Sequence, residues 1–170
     1  MSKKLWEASQ KLKISSNLYS YEQFISKKYK KKFNQNYYNI LKWSVSNPGK
    51  FWDSVWNYCK VKGHKGDKKL IKSKIFYKNK FLPKSKLNFS ENLLSKNNKD
   101  KAITFLSENG FREERNWKEL NNNVSKIIKF FNKIKLNKND RVAAYLPNLT
   151  ETVEAFIATT SIGAIWSSCS

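Results

Sequence analysis

Arg141-Val142-Ala143-Ala144-Tyr145-Leu146-Pro147-Asn148, and after it Gly163-Ala164-Ile165-Trp166-Ser167, decide the fold class. Val142 to Leu146 is an uninterrupted apolar run between the polar turn Asn137 to Asp140 and Pro147, the pattern of a parallel strand covered on both faces. Asn148 with Glu151 three residues on reads as a helix start. Val153, Phe156, Ile157 and Ile162 carry that helix, Gly163 ends it, and Ala164 opens a second strand. The unit is strand, helix, strand, and its crossover is expected to be right-handed. A chain closing on such a strand would leave an apolar edge. The expectation is therefore the first part of a longer α/β protein.

Upstream, Ala102 to Leu106 and Phe111 to Asn116 flank Ser107-Glu108-Asn109-Gly110, whose Asn-Gly pair predicts a hairpin. Asn116 and Glu119 form a capping box for a helix running to about Ile134, with Leu120, Val124, Ile127, Ile128, Phe131 and Ile134 as its buried stripe. The first half reads as short amphipathic helices. Ser20 and Gln23 suggest a cap ahead of Phe24, Ile25, Lys28 and Tyr29. Asn36 suggests another cap ahead of Tyr37, Ile40, Leu41 and Ser44. Pro48 suits a first helical position, and Phe51, Trp52, Val55, Trp56 and Cys59 follow as an apolar stripe. Val61 to Asn79, rich in lysine around His64, has no helical period and is expected to be a surface loop.

At 170 residues with 39% hydrophobic and 15% aromatic content, the chain can build a packed core and is no disordered tail. Its net charge of +21 raises nucleic acid or an anionic surface as a partner. Residue type argues against that: of 34 basic residues only Arg112, Arg115 and Arg141 are arginine, the side chain suited to bidentate phosphate and base recognition. The densest cluster, Lys27-Lys28-Tyr29-Lys30-Lys31-Lys32, falls at a helix end, where cations complement the dipole. No specific nucleic-acid partner and no membrane partner is expected. No run reaches the ~18 apolar residues of a membrane span, and the polar start lacks a secretion signal, so a cytoplasmic location is expected. Cys59 and Cys169 have no CxxC spacing and read as ordinary thiols.

Catalytic motifs are missing. Five glycines, Gly49, Gly63, Gly66, Gly110 and Gly163, assemble no GxGxxG or GxxxxGK loop. His64 has no serine-and-acid partners in sequence, and no metal-ligand cluster is visible. Pro147-Asn148 and Ser167 to Ser170 follow the two strands, on the edge where open α/β sheets place ligands.

Several stretches resemble one family. Leu5-Trp6-Glu7, Ser16-Asn17-Leu18-Tyr19, Asn47-Pro48 with Phe51-Trp52 and Val55-Trp56, and Leu87-Asn88-Phe89-Ser90-Glu91-Asn92-Leu93-Leu94 are similar to the opening segment of the acetyl- and acetoacetyl-CoA synthetases. Asp140-Arg141-Val142 and Leu146-Pro147-Asn148 continue the likeness, and Gly163-Ala164-Ile165-Trp166-Ser167-Ser168-Cys169-Ser170 resembles the acetoacetyl branch, since acetyl- and propionyl-CoA synthetases usually carry histidine at the Trp166 position.

The resemblance implies an α/β fold in which a helical extension, residues 1–98, precedes the first βαβ elements of an adenylate-forming enzyme's large domain, residues 99–170, incomplete here. It implies an acid–thiol ligase: acetoacetate and ATP give acetoacetyl-adenylate and pyrophosphate with magnesium assisting, then CoA displaces AMP. Substrates and cofactors of the whole enzyme would be acetoacetate, ATP, CoA and Mg. The phosphate loop and catalytic lysine of that family lie downstream, so no catalytic or metal residue and no bound cofactor is expected here, and the segment alone is expected to be inactive. Trp166, Ser168, Cys169 and Ser170 are candidate peripheral contacts to CoA or the acyl group. A segment of an acetyl-CoA or other short acyl-CoA synthetase, and a basic module binding nucleic acid or anionic surfaces, are the alternative readings.

Overall fold

The computed structural model describes residues 5–169, and the chain divides between Lys86 and Leu87 into two compact units. The first contains α1 (Gln10–Ile14), α2 (Asn17–Tyr29), α3 (Tyr37–Ser46), α4 (Pro48–Tyr58) and a short antiparallel pair, β1 (Leu70–Ile71) with β2 (Lys80–Phe81). The second contains α5 (Phe89–Leu93), β3 (Lys101–Leu106), β4 (Arg112–Asn116), α6 (Trp117–Lys133), β5 (Arg141–Tyr145), α7 (Thr150–Ser161) and β6 (Ile165–Cys169).

Helix starts in the first unit follow side-chain caps. The Ser16 hydroxyl accepts the Tyr19 amide at 3.1 Å, so α2 begins earlier than Ser20 and Gln23 suggested. Ser20 lies inside the helix and donates back to the Ser16 carbonyl instead. The helix ends at Lys30, which takes a left-handed φ of 50°, with Lys27 and Lys28 in the last turn as the dipole favours. Asn36 caps α3 by accepting the Tyr38 amide at 2.9 Å. Asn47 ends α3, and Pro48 starts α4 at the position where its missing N–H costs nothing.

Tyr21, Ile25, Phe33, Ile40 and Trp43 form the core of this unit, with Phe24, Tyr29, Phe51, Val55 and Tyr58 packed around it. Phe33 meets Trp43 edge-on with centroids 5.5 Å apart, and Tyr21 meets Tyr58 at 5.2 Å. Tyr29 and Phe33 thus anchor the core despite the lysines beside them. The inward face of α3 is Ile40 and Trp43, whereas Tyr37 and Leu41 of the expected stripe are exposed. The contacts of Trp43 with Tyr29 and Phe33 set that rotation. On α4 the stripe is interrupted: Asp53 and Ser54 are buried, while Trp52 lies against Phe81 at the surface with centroids 5.8 Å apart. Ser54 donates to the Phe51 carbonyl at 2.7 Å and its hydroxyl meets that of Tyr21 at 2.7 Å, so its burial leaves no orphaned group. Burial pushes the Tyr21 phenol pKa up, against the opposing bond to Ser54. The lysine-rich stretch after α4 is largely loop, with His64 exposed and bridging Lys86 through its backbone.

In the second unit β3 and β4 pair antiparallel, closing at Leu106 opposite Arg112. Gly110 holds the turn at φ 83°, its amide donating to the Ser107 carbonyl at 3.0 Å. Both halves of the Asn116–Glu119 capping box form at the start of α6. Leu120, Val124, Phe131, Ile157 and Ala158 make the core between α6 and α7, whereas Ile134 is exposed beyond the helix end. The Ser90 hydroxyl of α5 donates to the Ile157 carbonyl at 3.0 Å, and the Asn88 amide donates to the Thr160 and Ser161 carbonyls. Those bonds explain why polar residues sit in the Leu87 to Leu94 stretch.

Strands β5 and β6 pair in parallel from Arg141 opposite Ile165 to Tyr145 opposite Cys169, with α7 as the crossover and Gly163 at φ 76° ending it. Two details differ from the expectation. The β5 strand is covered on one face only: Val142 and Ala144 are half-buried, while Arg141, Ala143 and Tyr145 are exposed. The uninterrupted apolar run Val142 to Leu146 therefore carries three exposed members, Ala143, Tyr145 and Leu146, and Tyr145 is 82% exposed. The α7 cap is Leu149, without a side-chain bond, and not Asn148, because Glu151 is drawn to Arg115 while Thr152 closes the turn by donating to the Pro147 carbonyl.

Candidate functional site

The carboxyl ends of β5 and β6 lie side by side, the Leu146 amide donating to the Cys169 carbonyl at 3.3 Å. The Pro147-Asn148 loop and the end of β6 therefore share one edge. Strand alternation then sorts the candidate residues. Trp166 and Ser168 are paired with Val142 and Ala144, the half-buried positions of β5, and so share a face. The Trp166 ring packs edge-on to Phe156 of α7 with centroids 6.2 Å apart, and its indole N–H donates to the Ser168 hydroxyl at 3.1 Å. Phe156 in turn lies 5.9 Å from Phe89, which makes a short aromatic row. Cys169 is paired with Tyr145 on the opposite, exposed face. The structure thus brings Trp166 and Ser168 together and separates Cys169 from them, while Ser170 lies outside the described residues. Tyr145 is the neighbour that the sequence reading passed over, although its even spacing from Arg141 on the strand was a usable signal.

An ion cluster sets the start of α7 behind that loop. The Arg115 guanidinium of β4 reaches Glu113 at 2.8 Å, Glu151 at 3.1 Å and Glu154 at 3.3 Å. Asn123 of α6 donates to Glu154 at 2.8 Å, and Thr150 donates to Glu113 at 2.7 Å. Burial alone would lower the Arg115 pKa, but the bond and charge of Glu113, with Glu154 and Glu151 behind it, push it up. The hydrogen bond from Thr150, then that from Arg115, holds the Glu113 carboxyl below the usual range. The cluster fixes the first turn of α7, and with it the Pro147-Asn148 loop.

Among the described residues, no group of three or more His, Cys, Asp or Glu side chains could hold a metal ion. The lysine cluster at the end of α2 is partly structural, since Lys28 is bonded to the buried Asp53 at 3.0 Å. Both cysteines are free and exposed. No helix among the described residues is long and apolar enough to cross a membrane.

No family model matches the chain. It is 42% identical over 128 residues to an acetoacetyl-coenzyme A synthetase of Rhizobium meliloti (strain 1021), covering 75% of this chain and 20% of that protein. It is 33% identical over 139 residues to an acetoacetyl-CoA synthetase of Danio rerio, covering 79% of this chain and 21% of that one. The chain spans about a fifth of the length of the curated relatives it matches. Among solved structures, the acetoacetyl-CoA synthetase from Streptomyces lividans superposes with a TM-score of 0.83 over 99% of this chain and 26% of its own, at 21% identity, a likeness of fold. Over the stretch it covers, this chain belongs with the acetoacetyl-CoA synthetases and corresponds to one segment of such an enzyme.

Proposed function

We propose that the chain serves as the N-terminal segment of an acetoacetate-CoA ligase, an enzyme joining acetoacetate to CoA through an acyl-adenylate made from ATP. The observation that carries this reading is the 42% identity to the Rhizobium meliloti synthetase over 128 residues. In this reading residues 1–98 are the helical extension and residues 99–170 the beginning of the AMP-binding large domain. The parallel β5–α7–β6 unit lies within the second of these stretches, and the compact units divide earlier, between Lys86 and Leu87.

Trp166 and Ser168 are the residues of this segment best placed to touch a ligand. They share a face near the carboxyl end of a parallel pair, the edge where such sheets bind ligands. The indole offers a flat apolar wall to an acyl or pantetheine chain, and the Ser168 hydroxyl one polar contact. Cys169, on the other face, and Ser170 complete the peripheral set. Neither ATP phosphates nor magnesium fits the described residues, which supply no glycine-rich loop and no ligand cluster. The reading assigns both groups to the remainder of the enzyme, along with the bond-making residues. A cytoplasmic setting suits two exposed free thiols, and no nucleic-acid or membrane partner is part of the reading.

The test grafts this chain into the Rhizobium meliloti enzyme in place of the matching segment. Trp166→Ala in the graft should raise KM for CoA or acetoacetate several-fold with kcat nearly unchanged, as loss of uniform binding does. Unchanged KM for both substrates would remove Trp166 from the site.

A further inference from the structure

The Trp166 ring is held at two points, both inside the second unit. Its indole N–H donates to the Ser168 hydroxyl at 3.1 Å. Its plane stands at 70° to the ring of Phe156 on α7, with centroids 6.2 Å apart. Phe156 is half-buried beside the core between α6 and α7 and is backed in turn by Phe89 of α5, 5.9 Å away. That backing is fixed by hydrogen bonds. The buried Ser90 hydroxyl donates to the Ile157 carbonyl at 3.0 Å, and the Asn88 amide donates to the Thr160 and Ser161 carbonyls at 2.9 and 3.0 Å, which clamps α5 onto the last turns of α7. Phe89, although 55% exposed, is kept in place by these two neighbours. A row of three rings therefore runs from the clamped α5 through α7 to β6.

We propose that Phe156 is a positioning residue: it fixes the plane of the Trp166 indole, and so the apolar wall that the indole offers to an acyl or pantetheine chain. The proposal rests on the reading of Trp166 as a ligand contact. One hydrogen bond to Ser168 fixes where the indole N–H points but leaves the ring free to tilt about it, and the angled contact with Phe156, favoured by the charge distribution of aromatic rings, removes that freedom. A wall fixed before the ligand arrives spares the ordering cost that a loose side chain would add to binding. Both contacts are made within this chain and do not depend on what else of the enzyme lies over its outer face. Leucine at position 156 would keep most of the apolar volume and remove the ring, which separates positioning from packing.

The test has two readouts. In the full chain carrying fluorinated tryptophan, fluorine NMR follows the Trp166 signal among the six tryptophans, assigned by Trp166→Phe. Phe156→Leu is expected to move that signal and leave the others in place, which also shows that the variant is folded. Phe89→Leu, at an exposed position, is expected to move it less and serves should Phe156→Leu not fold. Phe130→Leu, whose ring meets Phe131 instead, is expected to leave it unmoved. In the graft within the Rhizobium meliloti synthetase, Phe156→Leu should raise several-fold the same KM, for acetoacetate or for CoA, that Trp166→Ala raises, with kcat nearly unchanged. Phe156→Tyr, which keeps the ring, should restore it. The double variant should be no worse than Trp166→Ala alone, as for two residues acting as one unit. An unmoved Trp166 signal, an unchanged KM in Phe156→Leu, or additive effects in the double variant overturns the proposal. If Trp166→Ala leaves both KM values unchanged, the ligand reading of Trp166 fails and this proposal with it, whereas an effect of Trp166→Ala with none from Phe156→Leu removes Phe156 alone.

Discussion

Each unit is tied together by an ion cluster, and the two clusters have opposite polarity. In the first, a single carboxylate, Asp53, accepts from Lys28 at 3.0 Å and Lys65 at 2.8 Å, with Lys69 at 3.4 Å. In the second, a single guanidinium, Arg115, holds Glu113, Glu151 and Glu154. The difference teaches where each unit keeps its weak point. The lysines around Asp53 are between 29% and 55% exposed and can return to water if the carboxylate is lost. Glu154 is only 5% exposed and has Asn123 as its other partner, so the loss of Arg115 strands a buried charge.

Breaking the second cluster should therefore have the larger effect. Arg115→Met is expected to lower stability by about 3 kcal/mol, measured by urea unfolding, and Arg115→Lys should restore less than half of that, because a point charge cannot reach three carboxylates as the fork does. A loss equal to that of a neutral surface substitution would show that Asn123 alone is enough to hold the Glu154 carboxylate. Asp53→Asn should cost about 2 kcal/mol, read in the same way.

Acid sharpens the comparison. Burial would raise the Asp53 carboxyl, but the bonds and charges of Lys65 and Lys28 outweigh it and hold the pKa at about 2. A lowered folded pKa gives stability that is present above the ordinary value near 3.8 and disappears as pH falls toward about 2. That contribution is about 2 kcal/mol, from the 1.4 kcal/mol carried by each pKa unit. The difference in stability between the wild-type chain and Asp53→Asn should shrink across that window, and a constant difference from pH 5 to 2 would refute the assigned cause. Smallest of all, Asn116→Ala and Ser16→Ala should each cost about 1 kcal/mol by loss of one cap. Asn116→Ala is expected to cost the more, since its capping box is reciprocal.

The sequence showed most of the second unit, because its signals are local. The Asn109-Gly110 turn, the Asn116–Glu119 box and the stop at Gly163 each need only neighbours, and each formed. The first unit was less legible because its choices are made across space. Ser16 rather than Ser20 caps α2, and α3 rotates to put Trp43 on Phe33. Asp53, inside what reads as an aromatic stripe, is buried because Lys65, twelve residues on in a loop, reaches back to it. Lone charges such as Asp53 and Arg115 carry no periodic mark, so both clusters went unread. The candidate site was legible as an edge: the strand reading pointed to Pro147-Asn148 and Ser167 to Ser170, Trp166 entered through the family resemblance, and the separation of Cys169 required the register with Tyr145.

The central claim is that this chain is a ligase segment whose bond-making groups lie elsewhere. Pyrophosphate release dependent on both ATP and acetoacetate tests it directly, measured on the 170-residue chain alone and on the chain grafted into the Rhizobium meliloti synthetase. The account predicts no release from the chain alone and restored, acetoacetate-dependent release from the graft. Turnover by the isolated chain, or a folded graft that binds ATP and releases nothing, would contradict it.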